Sequence, residues 1–507
     1  MIGRLLPRRL ARNAGFILFG RLWFILIWFV VTPRILHTLG PERFGVWGLL
    51  FLLSGYLATF DLGLGTTVVK FTAEHAAGAD WDRLHSTLGE ITRVYLILGV
   101  VWVAALVALH PLLMRGLHIT PEYWAEVRFA LLASSAVFAF ANLVGVGTGI
   151  LNGLQRMDLA NGILVLSSMP QVGLLLWGLA RGMGLYAVVI STAAGWLVTA
   201  VATWVALRGV APQLRWPSVA SRGEGAPWFR FSTLMQLNNV LQLSQHQIDK
   251  LVLGFLLGVS SVGDFELGFR VANAVQSLPV LALSPLLPAF TEMGAASHSQ
   301  PFRDLCLRGT RSLAMFSLLL AACSIPAAPL VIRAWVGPDH RVAEGLAQWM
   351  LGAFALNLCT NVASTAVRAA GQPEREVAPA VSALVLHVAV SVVFIRLWGA
   401  PGVGPAMLLA MIVWWVFFLA RFARWIDRPV SAILVDPFQR PIICFLPALG
   451  VGLAAVAAVE SRFTLGRWPA LLLAAGAGAA AAATFALAWR LLSGPRGAVQ
   501  VPGRNAA

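Results

Sequence analysis

Fourteen apolar stretches, each about 20 residues long, leave this 507-residue chain few ways to fold. Hydrophobic residues make up 58% of the sequence and charged residues only 12%, with a mean hydropathy of +0.78. A soluble globule carries about a quarter of its residues charged, so this chain is a polytopic membrane protein. Runs of this length satisfy their backbone groups internally when each forms a helix. The pattern predicts helices near 13–32, 44–68, 92–114, 124–151, 159–180 and 184–207. A second set comes near 229–256, 262–289, 309–335, 343–367, 376–398 and 402–422, and a further pair near 441–459 and 468–492. The expected fold class is all-α, with about 14 transmembrane helices.

The two sets of six carry an echo. Leu39-Gly40-x-x-x-Phe44-Gly45 recurs as Leu257-Gly258-x-x-x-Val262-Gly263, and the same offset of 218 residues carries Gly153 onto Gly371 and Gly184 onto Gly402. Loop glycines are common, so the weight rests on where these four pairs fall, between the apolar stretches or at their ends. The expected organisation is two pseudo-symmetric six-helix bundles, 1–207 and 229–425. A polar linker at 208–228 joins them, and an extra helix pair with the C-terminal tail occupies 426–507. Six is an even number, so both bundles enter the membrane in the same direction.

The net charge is +15, but the cations sit between apolar runs, which fits the positive-inside rule and argues against nucleic-acid binding. Arg4, Arg8, Arg9 and Arg12 precede a first run too long for a signal-peptide core, and the predicted inner loops hold the greater part of the 37 Lys and Arg. The N-terminus is expected in the cytoplasm. Cys306, Cys323, Cys359 and Cys444 stand singly, without metal-ligand spacing. No nucleotide-binding loop, zinc-protease helix or nucleophile elbow occurs, so no familiar enzyme is encoded and no cofactor is expected.

Ionisable residues in hydrocarbon cost about 2.5–3.5 kcal/mol on insertion scales, so they point inward or pair. Arg21 and Asp61 lie at comparable depths on the first two predicted helices and are expected to pair. Asp249 and Lys250 precede the Gly258 turn by about the distance at which Glu266 and Arg270 come after it, so Asp249 is expected to meet Arg270. Two readings are open: structural pairs, or a cavity in which Arg21, Lys250 and Arg270, with Lys70 and Arg368 at helix ends, outnumber Asp61, Asp249 and Glu266 and attract an anion. Lys70 and Arg368 also read as basic membrane anchors. Gln236, Asn238, Asn239, Gln242, Ser244, Gln245, His246 and Gln247 make the seventh helix too polar to face lipid; they suit a wet cavity or contacts between helices. Pro279, Pro285, Pro288, Pro326 and Pro329 mark kinks, static or hinged. Trp23, Trp28, Trp414 and Trp415 read first as packing or interfacial groups.

Arg12-Asn13, Leu39-Gly40-Pro41-Glu42-Arg43-Phe44-Gly45-Val46-Trp47, Asp61-Leu62-Gly63-Leu64-Gly65, and Asp249-Lys250-Leu251-Val252-Leu253-Gly254 with Val262-Gly263 and Arg270 resemble the hallmarks of bacterial polysaccharide flippases. These belong to the multidrug/oligosaccharidyl-lipid/polysaccharide exporter superfamily, and the resemblance covers about residues 10–425. It implies two bundles facing a central cavity that alternates between inward-open and outward-open forms. It also implies export of undecaprenyl-diphosphate-linked oligosaccharide across the inner membrane, working beside polymerases and other pathway proteins. By position, Arg21, Lys250 and Arg270 are candidates for holding the diphosphate, with Asp61, Lys70, Gln242, Asp249, Glu266 and Arg368 completing the candidate site. Proton, sodium or membrane potential could couple the cycle. The alternatives are a multidrug exporter or lipid II flippase of the same superfamily, and a membrane glycosyltransferase or polymerase using the same carrier.

Overall fold

The computed structural model describes residues 2–59, 64–78, 80–214, 227–282, 299–370, 372, 374–461 and 466–493. It is all-helical in the described residues, as the hydropathy pattern requires. The helices are α1 (Ile2–Thr59), α2 (Leu64–Ala77), α3 (Trp81–Gly116), α4 (Trp124–Gly153), α5 (Met157–Ala180), α6 (Leu185–Val210), α7 (Pro227–Leu257) and α8 (Val259–Ala282). They continue as α9 (Gln300–Val336), α10 (Arg341–Ala369), α11 (Glu374–Trp398), α12 (Val403–Trp425), the short α13 (Val430–Leu434), α14 (Gln439–Glu460) and α15 (Arg467–Ser493). Among the described residues, eleven segments are long and apolar enough to cross a membrane. The other expected spans are the second limb of α1, continued by α2, and the helices α7 and α8, whose polar residues lower their hydropathy.

The first expected boundary falls inside α1, at Gly40. There the backbone leaves the helix at φ 76°, ψ 169° and splits α1 into two limbs. Gly258, its counterpart in the echo, has φ 91° and separates α7 from α8. Both conformations disfavour any residue with a Cβ, which explains why glycine recurs there. The echo is weaker elsewhere. Gly184 has φ 57°, whereas in the second copy the positive φ falls on Gly399, at 70°, and not on Gly402. Gly371 lies outside the described residues, as do 215–226 of the linker, Pro285 and Pro288.

The helices pack into two compact units, Met1–Glu266 with Glu376–Val403, and Leu267–Arg375 with Gly404–Ala507. In the first unit a core joins Leu64 and Val68 of α2, Leu84, Leu88 and Ile91 of α3, Ile150 of α4, Ile163 of α5 and Leu207 of α6. The two echo motifs also meet in this unit. A Cβ at position 45 would stand 1.8 Å from the Val259 carbonyl oxygen, and one at position 263 would stand 3.3 Å from the Pro41 carbonyl oxygen. The contact is reciprocal: 45 faces 259 as 263 faces 41, with both pairs related by the repeat offset. Small residues let helix backbones approach this closely in a membrane.

The rest of the first motif fastens that crossing to its neighbours. Glu42 accepts hydrogen bonds from the Thr120 amide at 2.7 Å and hydroxyl at 2.9 Å, just before α4. Arg43 donates to the Leu39 carbonyl at 2.9 Å, lies 3.5 Å from Glu126 and stacks over Tyr123. Glu126 in turn accepts from the Leu185 amide, where the first turn of α6 has donors to satisfy. Phe44 and Trp47 are fully buried, with ring centroids 5.2 Å apart.

In the second unit the terminal helix pair packs against α9 as scaffold. Leu318 and Ala322 of α9 meet Cys444 and Ala448 of α14 and Ala481 and Phe485 of α15. Arg333 of α9 ties the same elements together: its Nε and Nη2 each donate to Glu344 of α10 at 2.7 Å, and its Nη1 donates to Glu460 of α14. All four cysteines are free, and α9 contains Pro326 and Pro329. The tryptophans pack against other side chains: Trp23 donates to Ser168 at 2.9 Å, and the Trp414 ring stacks on Phe418 at 4.9 Å.

Replacing Gly45 with alanine should destabilise the protein severely, because a backbone carbonyl occupies the Cβ position and overpacking costs about 1–3 kcal/mol or more. Gly263→Ala, facing contacts no closer than 3.3 Å, should be milder. Thermal unfolding of the two variants in detergent should rank them in that order.

Candidate functional site

Gln245 and Asp249 of α7 lie in the first unit and face α11. Gln245 and Asp249 are spaced i, i+4 on α7, as His387 and Ser391 are on α11, so each pair forms one stripe. Gln245 Nε2 donates to the Ala380 carbonyl at 3.4 Å. Asp249 Oδ1 accepts from the Ser391 hydroxyl at 2.8 Å, and its Oδ2 lies 3.0 Å from His387 Nε2. Neither Asp249 Oδ2 nor either ring nitrogen of His387 makes a full hydrogen bond among the described residues. Asp249, His387 and Ser391 are all buried to 1% exposure or less. A carboxylate at this depth costs a great deal unless polar neighbours compensate it, and α11 supplies them.

One residue further along α7, Lys250 points to a different partner. Its Nζ lies 2.6 Å from Glu266 Oε2 on α8 and donates to Gln247 Oε1 at 3.0 Å. Lys250 is 2% exposed and Glu266 4%. The tight turn at Gly258 brings the two helices close enough for this pair. The second limb of α1 passes over it at Gly48, where a Cβ would stand in ordinary contact, 3.5 Å from Glu266 Cβ.

This geometry corrects two expectations. Asp249 takes His387 and Ser391 as partners in place of Arg270, because the α11 stripe sits against Asp249 inside the first unit. Lys250 is not a spare cation over an open cavity; it is neutralised by Glu266 and sealed from solvent. The cluster of Asp249, Lys250, Glu266 and His387 therefore carries no surplus of cations. Arg270 is half-buried, while Lys70, midway along α2 with its Nζ 5.3 Å from the Phe71 ring, and Arg368, in the last turn of α10, are exposed. Asp61 lies outside the described residues, and so do the side chains of Arg21 and Gln242, although both positions are helical.

Sequence reasoning missed His387 and Ser391. The signal was there: Glu376, Ala380, Ala383, His387, Ser391 and Ile395 are all buried, and their 3–4 residue spacing draws one helix face. A histidine and a serine on such a stripe in an apolar helix require a polar counterpart elsewhere, and Asp249 is that counterpart.

Breaking the Lys250–Glu266 pair from one side should cost about 3–5 kcal/mol, since the other charge is then left buried without compensation. Lys250→Met and Glu266→Met should each lower the unfolding midpoint markedly, and the double substitution should recover most of the loss. Additive losses in the double variant would mean that the two side chains are not coupled.

With this geometry in hand, comparison with known proteins identifies the chain. A family described as polysaccharide biosynthesis protein matches residues 10–294. The uncharacterized membrane protein EpsK of Bacillus subtilis (strain 168) is 20% identical over 320 residues, 62% of this chain and 63% of EpsK. The chain thus spans a little under two thirds of that curated relative. Among solved structures, the lipid II flippase MurJ in an inward closed conformation aligns with a TM-score of 0.65 at 14% identity, covering 94% of this chain and 98% of that one. An inward-facing multidrug resistance MATE family transporter of the MOP superfamily aligns with a TM-score of 0.62 at 17% identity, covering 79% and 95%. A MOP superfamily transporter from Pyrococcus furiosus, described as having a binding pocket of reverse polarity, aligns at 0.56 and 17%, covering 83% and 96%. At these identities the structural likeness is one of fold. The match across 10–294 makes this multi-pass membrane protein a member of the polysaccharide biosynthesis protein family, and its fold is that of the solved MurJ and MATE structures.

Proposed function

We propose that this protein moves undecaprenyl-diphosphate-linked oligosaccharide from the inner to the outer leaflet of the bacterial cytoplasmic membrane by alternating access. Its product would serve O-antigen, capsule or exopolysaccharide synthesis, and its partners would be the polymerase and other proteins of that pathway. The observation that carries this reading is the polysaccharide-biosynthesis match over residues 10–294, a stretch that includes the polar helix α7 and its buried charges. Lipid-facing packing does not need such charges, which cost several kcal/mol to place in hydrocarbon.

In this proposal Arg21, Asp61, Lys70, Gln242, Asp249, Lys250, Glu266, Arg270 and Arg368 line or control the substrate path. Lys250 is held by Glu266 in one state and released toward a phosphate oxygen in another, so the ion pair acts as a latch that an anionic head group competes to open. The polyprenyl tail stays in lipid throughout. One charge moving through 100 mV is worth about 2.3 kcal/mol, and an anion leaving an inside-negative cell moves downhill. The membrane potential therefore suffices as a driving force in this scheme. The orientation proposed from the basic loops keeps the N-terminus in the cytoplasm. We also propose that the repeated units are 1–207 and 229–425, joined by 208–228 and succeeded by 426–507; units of repetition need not coincide with units of packing.

The test is a cell that depends on this protein for its surface polysaccharide. Arg21→Ala and Arg270→Ala should each abolish export while the protein remains inserted at its normal level. Normal export in both variants would remove these residues from the substrate path.

A further inference from the structure

Away from α7 and α8, the first unit holds a separate cavity of about 330 Å³ between α3, α4 and α6. That volume is in the range of small-molecule sites, about 300–1,000 Å³. Its walls include Leu96, Phe140, Leu143, Val144, Ile150 and Trp204. Leu96, Phe140 and Trp204 are themselves 38%, 39% and 49% exposed, and the cavity continues into an apolar surface where Val201 and Val205 are each 57% exposed. On membrane-spanning helices such a surface faces hydrocarbon, so an occupant enters from the lipid.

Three polar residues interrupt the apolar lining, and one of them, Thr92, already spends its hydroxyl on the Leu88 carbonyl at 2.7 Å. Thr203 is 2% exposed, and its hydroxyl has no hydrogen-bond partner among the described residues. An unmade hydrogen bond at that depth is costly, which points to a ligand acceptor. Arg208 lies in the last turn of α6, held over the Trp204 ring at 5.2 Å, and has no carboxylate partner among the described residues. The two residues are five positions apart on one helix, about 7.5 Å along its axis. That separation suits a glycerophospholipid, whose ester carbonyl lies a short way from its phosphate; a polyprenyl phosphate has no ester to offer.

We propose that this cavity binds one acyl chain of an anionic glycerophospholipid. The guanidinium of Arg208 holds the phosphate, the Thr203 hydroxyl donates to the ester carbonyl, and the chain lies along Leu143 and Val144. A planar fork of donors is matched to phosphate oxygens, and Trp204 pre-orients it. The site is independent of the glycan path, because it lies on other helices and takes a different lipid.

The test uses the full-length protein in nanodiscs containing phosphatidylglycerol with a photoreactive diazirine in its acyl chain. Parallel discs contain the phosphatidylcholine counterpart or a photoreactive polyprenyl phosphate. Adducts from phosphatidylglycerol should concentrate on the α3, α4 and α6 residues of the cavity and exceed those from phosphatidylcholine, whose choline cation is repelled by Arg208 beside the same phosphate. Arg208→Gln should lower phosphatidylglycerol labelling about tenfold, toward the phosphatidylcholine level. Ala200→Phe should block labelling by filling the cavity, with Leu143→Trp as the second filling variant should the first not fold. The proposal is overturned by adducts spread evenly over the lipid-facing surface, by labelling indifferent to Arg208→Gln, or by preferential labelling from the polyprenyl phosphate. The readout is lipid adducts, so it stands or falls separately from transport.

Discussion

Two missing side chains set the geometry of the first unit. Gly45 and Gly263 let the second limb of α1 and the start of α8 cross with backbone nearly touching backbone, each glycine lying against a carbonyl of the other motif. The buried charges further along both helices depend on that crossing. Three residues after Gly45, Gly48 lies against Glu266; Glu266 sits three residues after Gly263 and reaches Lys250 at 2.6 Å. Spreading this crossing by one methyl group would loosen the seal over a buried ion pair, and a buried pair tolerates little loosening. The glycines are thus an electrostatic requirement as much as a steric one.

Asp249 and Lys250 are sequence neighbours with separate environments. Adjacent residues on a helix point about 100° apart, so Lys250 turns to α8 while Asp249 turns to α11. Both charges are answered inside the first unit, by Glu266 in one case and by His387 with Ser391 in the other. Such a layout leaves little uncompensated charge in this state, and a transporter that handles an anionic head group would need to exchange these partners during its cycle. The Leu39–Gly45 motif, by contrast, is architectural. Its glycines shape a turn and a crossing, and Glu42 and Arg43 secure α4 and α6.

Much of the fold was legible in the sequence because hydrocarbon imposes a simple rule. A run of about 20 apolar residues must be a helix, and the interruptions mark its ends. The Gly40 and Gly258 turns were legible for the same reason, since a repeated glycine at a helix junction signals a repeated backbone conformation. Side-chain partners were harder to read. Depth along a helix can be counted, but rotation about its axis and the identity of the facing helix cannot. Depth therefore pairs Asp249 with Arg270, whereas its partners lie on α11, with Ser391 142 residues away. His387 escapes notice because it stands alone in an apolar run; only the stripe it shares with Glu376 and Ser391 reveals its buried face.

The central claim is that this architecture carries a lipid-linked glycan through the membrane. The most direct measurement places the purified protein in proteoliposomes with a fluorescent undecaprenyl-diphosphate oligosaccharide in one leaflet, and tracks its arrival in the other by quenching. The account predicts protein-dependent transfer that accelerates when the potential favours outward movement of the anion. A protein that moves cationic dyes across the same vesicles but leaves the labelled glycan lipid in place would contradict it.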